Sequence, residues 1–260
     1  MTALPLRTST ELDAMRAAGR VVADTLQAVR AAAVPGVRLR ELDELAQTVI
    51  RDAGALPSFL GYRPVWAPTP FNGALCLSPN EIVVHGRPNG RRLRDGDLLS
   101  IDCGAIADGW HGDSAVTVHV GADPDDDDLR LMTATELALG AGIAAAVPGA
   151  TLLDVATAVD AVARAHGFTH LPDHGGHGIG REMHEAPFVP NEPTRDAARH
   201  RLHAGNTIAI EPMLHAGTGR YRTKKDGWSI AMVDGKRAAH FEHTVAITDD
   251  GPEVLTATSP

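Results

Sequence analysis

Apolar residues recur at helical spacing near the start of the chain, where Leu12, Met15, Gly19, Val22, Leu26 and Val29 share one face of a predicted helix. Thr8 and Glu11 stand in the S/T-x-x-E relation of a capping box, which marks the entry to that helix. A second stripe, Leu39, Leu42, Leu45, Val49 and Ile50, predicts a second helix, with Gly54 placed to stop it. The two are joined by Ala-Ala-Ala-Val-Pro-Gly, residues 31–36.

The same six residues return at 144–149, followed by the stripe Leu152, Val155, Val159 and Val162 and by Gly167. Residues 31–54 and 144–167 agree at ten of twenty-four positions, and the strand-like segments downstream repeat as well. DGDLLSID (95–102) aligns with AGNTIAIE (204–211), and DSAVTVHV (113–120) with EHTVAITD (242–249). The chain therefore reads as one domain, 1–260, built from pseudo-repeats at about 10–121 and 129–251. Each repeat is helices followed by alternating strands, an α+β fold with helices on a largely antiparallel sheet and approximate two-fold internal symmetry. A site at the seam between the halves is expected.

The duplication pairs Asp102 with Glu211 and Asp113 with Glu242, each an acid within or at the end of a strand that otherwise reads as core. Strand interiors disfavour Asp, and an unpaired buried carboxylate neutralises itself rather than stay charged. Asp108-Gly109 is a two-residue hairpin signal. With those residues as the turn, Gly104 faces Asp113 and Asp102 faces Ala115, so both aspartates lie on one sheet face as diagonal neighbours, about 7–8 Å apart at the backbone. They converge either on a cation or on arginine and lysine partners, and repetition in the second half favours the cation. The connection before Glu242 is too long to derive its register, and symmetry alone places Glu211 and Glu242 on the same face.

HGGHGIGREMHEAP, residues 174–187, adds histidines. Four glycines around His177 let the backbone approach another layer and present the ring, so His177 is taken as a ligand. Four acids and one neutral imidazole are too many for one tetrahedral zinc. Two divalent ions sharing carboxylates fit better, with Mn, Fe or Co favoured over Zn by the oxygen-rich set. HEAPF begins like a zincin helix but has Phe where the second His belongs, and the chain has no G-x-S-x-G.

Composition narrows the function further. The formal charge of -9 disfavours a nucleic-acid binder. The acidic run Asp123–Asp128 suits the start of a helix. Cys76 and Cys103 have no CxxC spacing and read as reduced thiols. No stretch approaches a membrane span and the N-terminus lacks a signal peptide's apolar region, so a cytoplasmic protein, monomeric by default, is expected. The basic cluster Arg87–Arg94 reads as a solvated loop, with contact to RNA as the other reading.

The segments IDCGAIADGWHGDSAV, GHGIGREMHEAP, TIAIEPM and FEHTVAIT together resemble the type I methionine aminopeptidases, metallopeptidases of the pita-bread fold. The resemblance covers nearly the whole chain and keeps the order Asp, Asp, His, Glu, Glu. It implies that Asp102 binds one metal ion, that Asp113 and Glu242 bridge two, and that His177 and Glu211 complete the second. It also implies Glu211 as general base, His85 near the substrate amine or scissile amide, and His184 at the scissile carbonyl. His174 has no counterpart in the family motif. Cys76, Trp228 and Met183 fall where the family lines its methionine pocket, with Tyr62 and Phe71 as further lining residues.

The implied reaction is release of initiator methionine from peptides and nascent chains when the second residue is small. The rival is a peptidase of the same fold that cleaves Xaa-Pro bonds, but such enzymes usually carry an extra N-terminal domain and follow the first glutamate with Pro-Gly rather than Pro-Met. A type II enzyme would insert a helical subdomain between His184 and Glu211, where only 26 residues lie. A non-catalytic binding module of this fold is disfavoured by the intact ligand set.

Overall fold

The structure, a computed structural model, describes residues 4–257, so the outermost three residues at each end of the expected domain 1–260 lie outside the described residues. The first half runs α1 (Ser9–Ala32), α2 (Leu39–Asp52), β1 (Leu56–Pro57), β2 (Leu75–Pro79), β3 (Ile82–Val84), β4 (Leu98–Ala107) and β5 (Trp110–His119). The second begins with α3 (Asp126–Ala145) and α4 (Leu152–His166), then β6 (Thr169–His170), β7 (Gly175–Gly178), β8 (Glu185–Pro190) and β9 (Thr207–Ile210). It closes with β10 (Met213–His215), β11 (Tyr221–Thr223), β12 (Ile230–Met232), β13 (Ala238–His240), β14 (Glu242–Thr248) and β15 (Gly251–Val254).

Local signals account for the helix ends. Glu11 N–H donates to Thr8 Oγ1 at 3.3 Å and Thr8 N–H donates to the Glu11 carboxylate at 2.8 Å, closing the capping box of α1. Thr151 and Asp154 repeat that exchange at the start of α4. The Asp125 side chain caps α3 through Asp128 N–H, so the acidic run opens a helix as expected. The two Ala-Ala-Ala-Val-Pro-Gly segments end α1 and α3, and their glycines, Gly36 and Gly149, take φ of 95° and 89°.

A nine-stranded sheet, antiparallel throughout, has the backbone order β1-β4-β5-β14-β9-β7-β8, with β2 also paired to β4 and β15 to β14. Each helix pair buries its stripe against this sheet. Val22, Leu26, Leu39, Leu42 and Ile50 pack on Leu99, Ile101 and Cys103, while Leu131, Leu139, Leu152, Val155 and Val159 pack on Ile208, Ile210, Val245 and Ile247. Side chains alternate along a strand, so Asp102 points away from the helices that Ile101 and Cys103 face, and Glu242 away from those that Val245 and Ile247 face. Two three-stranded sheets, β13-β10-β6 and β11-β12-β3, complete the chain and share the small core of Val83, Leu171, Met213, Ile230 and Met232. These features are those of the α+β pita-bread fold.

The glycines beside His177 do the work expected of them. A Cβ on Gly176 would stand 2.0 Å from the Ala209 carbonyl oxygen, and one on Gly178 would stand 2.7 Å from that of Ala186. Any side chain there would push β7 away from its neighbours and take the imidazole with it.

Candidate metal centre

The β4–β5 hairpin turns at Asp108 (φ 51°) and Gly109 (φ 76°), and its register pairs Gly104 with Asp113 and Asp102 with Ala115, as the turn signal requires. The row through Asp102 continues in both directions. Cys76 of β2 pairs with Asp102 on one side, and Glu242 of β14 pairs with Ala115 on the other. Ala115 therefore separates two carboxylates with a single methyl group, which leaves the space between them open. Ile210, the last residue of β9, pairs with His243, so the next step of that register sets Glu211 opposite Glu242.

All four acids and His177 line one cleft. Asp113 and Glu242 are only 3% and 2% exposed, and Asp102 is buried beside them. Among the described residues no lysine or arginine pairs with any of the four. The nearest basic atoms are His177 Nε2, 3.8 Å from Glu211, and His240 Nε2, 3.5 Å from Glu211 and 3.7 Å from Glu242. Asp102 Oδ1, Asp113 Oδ1 and Glu242 Oε1 are buried without a hydrogen-bond partner.

Burial pushes the carboxyl of Glu211 up to about 8, and burial together with the neighbouring Glu211 does the same to Asp113. For Asp102 and Glu242, burial and then the adjacent carboxylates drive the shift well above the usual range. Burial lowers His177 and His240 to about 3, so both rings are neutral with a lone pair available. Crowded carboxylates and neutral imidazoles form a donor set for hard or borderline divalent cations. Asp113, His177 and Glu242 offer ligand atoms within 4.8 Å of one another, as do Glu211, His240 and Glu242. Asp102 belongs to neither group and approaches the centre from the Asp113 side.

The remaining expected residues gather around the same cleft of about 560 Å³. Cys76, Phe71, Met183 and Trp228 form one buried apolar cluster, with Tyr62 packed against it. Trp228 meets Phe71 edge-on at 5.0 Å and donates its indole N–H to the Thr69 carbonyl at 2.8 Å, which fixes the ring. The His184 ring lies 4.2 Å from that of His177, and its Nδ1 is 3.0 Å from Tyr62 Oη. His85, just past β3, holds the left-handed φ of 57° and sits 6.2 Å from the Trp228 ring. Burial lowers His85 to about 3 and His184 to about 4, so both are neutral near pH 7.

Sequence reasoning missed several lining residues. Phe59 joins the apolar cluster, Trp66 stacks near His85 at 6.1 Å, and His174 lines the cleft with its ring against Tyr221 at 5.3 Å. His240 carried one readable signal: it lies two positions before Glu242 in strand-like sequence, where residues i and i+2 share a face.

An apolar pocket sharing a wall with a cluster of unneutralised acids, on a pita-bread frame, defines the class as metallopeptidase. The pattern of metallopeptidase family M24 matches residues 13–249, and the chain belongs to that family. Methionine aminopeptidase 1 of Mycobacterium tuberculosis is 51% identical over 262 residues, spanning 97% of this chain and 95% of that protein. Methionine aminopeptidase 1 of Bacillus subtilis is 42% identical over 250 residues, spanning 96% and 98%. The crystal structure of methionine aminopeptidase from Thermotoga maritima superposes with a TM-score of 0.92 at 38% identity, covering 97% of this chain and 99% of that one. The expected resemblance is thereby borne out. Prolidase from Pyrococcus furiosus shares the fold, with a TM-score of 0.76 at 22% identity, and this chain covers 66% of its length.

Proposed function

We propose that the protein releases N-terminal methionine from peptides and nascent chains whose second residue is small, using two divalent ions bound among the buried acids. One observation carries the reading: four carboxylates with no basic partner other than neutral imidazoles among the described residues adjoin an apolar pocket. We assign Asp102 to one ion, Asp113 and Glu242 to both, and His177 and Glu211 to the other. Mn, Fe or Co suits the oxygen-rich set better than Zn. When bound, such ions acidify water and stabilise negative charge developing on the peptide carbonyl.

The chain's own groups supply the rest. Glu211 accepts the proton of the attacking water and returns it to the departing amine. His184 is neutral, and Tyr62 on its Nδ1 leaves Nε2–H free to donate to the carbonyl oxygen. His85 orients the scissile amide. Phe59, Tyr62, Phe71, Cys76, Met183 and Trp228 present the polarisable apolar walls that suit an unbranched thioether. Crowding beyond the cleaved bond restricts the second residue.

The two pseudo-repeats meeting at this centre are read as an internal duplication. No described helix is long and apolar enough to cross a membrane. The proposed setting is the cytoplasm, with a monomer acting close to the ribosome. Metal-loaded protein is expected to release Met from Met-Ala and Met-Gly peptides with kcat/KM roughly 10²-fold above Met-Leu or Xaa-Pro peptides. Amino-acid analysis of the products measures this, and a preference for Xaa-Pro would contradict it.

A further inference from the structure

His240 stands where neither hydrogen bonding nor packing explains it. Thr117 Oγ1 donates to the His240 carbonyl at 2.8 Å and accepts from its N–H at 2.9 Å, while Ser100 Oγ lies 2.9 Å from the same hydroxyl. Pairing with Met213 of β10 fixes the other edge. This clamp holds the backbone and delivers an almost wholly buried ring to the acids, with both ring nitrogens lacking a hydrogen-bond partner. His111 pairs with Ser58, His215 with the His170 carbonyl and the half-buried His243 with Thr256, while buried His170, whose ring nitrogens also lack a hydrogen-bond partner, has Nε2 3.3 Å from a single carboxylate, Asp160. Leaving a buried polar group unpaired costs about 1–3 kcal/mol, so an interaction from outside the protein's own hydrogen bonds is called for.

The distances say what kind. At 3.5 Å from Glu211 and 3.7 Å from Glu242, Nε2 is beyond normal hydrogen-bond length from both carboxylates. Two ligand atoms each about 2.0–2.2 Å from one ion stand roughly 3.0–3.8 Å apart at ordinary angles. His177 Nε2, a ligand on the sequence reading, stands 3.8 Å from Glu211 in the same way. We infer that His240 is a further metal ligand, adding a second imidazole to the ion held by Glu211 and Glu242. The inference rests on the two-ion centre proposed above. A second nitrogen donor favours Co over Mn at that position, following the ordinary order of affinities for imidazole-containing sites.

The alternative role is hydrogen-bond donor to the two glutamates, in which case Nε2 carries the proton and cannot bind an ion. Proton NMR of the protein loaded with two equivalents of Co(II) separates these roles. Each coordinated imidazole gives one strongly shifted N–H signal that vanishes in D2O. Two such signals are expected, one lost in His240→Gln and the other in His177→Gln, with Co(II) affinity in His240→Gln falling about tenfold or more by titration. A single signal, kept in His240→Gln and lost in His177→Gln, overturns the assignment of His240 and leaves the proposed centre standing. No shifted imidazole signal in the unsubstituted protein overturns the centre itself, and that spectrum needs no variant to fold.

Discussion

Asp113→Ala or Glu242→Ala is expected to abolish methionine release, a fall of roughly 10³-fold or more, while the metal-free protein folds as well as before or better. Each carboxylate is assigned to both ions, so its removal weakens the whole centre. Losing several kcal/mol of charge stabilisation corresponds to a thousandfold or more in rate. The effect on folding has the opposite sign. Both groups are buried, crowded by like charges and pushed upward in pKa, and without metal they destabilise the fold. Their removal relieves that penalty. Thermal melts by circular dichroism with and without chelator, beside elemental analysis of bound metal, test both halves. Two tightly bound ions in either variant would contradict the bridging assignment.

Glu211→Gln is expected to lower kcat by roughly 10²–10⁴-fold, the range for loss of a positioned general base. The amide is nearly isosteric, and the main-chain carbonyl of residue 211 still accepts from Asn191 Nδ2 at 3.0 Å, so β9 keeps its place. Stability is expected to stay level or rise, because a buried acid has been neutralised. Single-turnover assays at saturating peptide separate the chemical step from binding. Near-normal turnover would remove Glu211 from the role of base.

What could be read from the sequence was carried by short-range physics. The turn preference of Asp108-Gly109 determines every pair of the β4–β5 ladder, so the relation of Asp102 to Asp113 follows from two residues. The glycines around His177 are informative because close backbone approach admits no Cβ. Helix caps at Thr8 and Thr151 are equally local. Glu211 and Glu242 were reachable only through the internal symmetry, because the thirty residues between them hold four strands that belong to two smaller sheets.

The walls of the pocket show the limit most clearly. Phe59, Met183 and Trp228 are far apart in sequence and meet only after the chain has closed, so no spacing encodes their contact. His240 illustrates the same point on a smaller scale. Its proximity to Glu242 was visible in the alternation, but the approach of Glu211 required β9 and β14 to pair. The resemblance to known metallopeptidases supplied the ligand order but drew no attention to His240, which lies outside the recognised set.

The decisive measurement is the metal content of saturated, washed protein together with anomalous diffraction at the cleft. Two divalent ions per chain, lying among Asp102, Asp113, Glu211 and Glu242, are expected. Fewer than two ions, or a cleft in which guanidinium or ammonium groups of the chain neutralise these acids instead, would contradict the claim that cations allow the four carboxylates to be buried together.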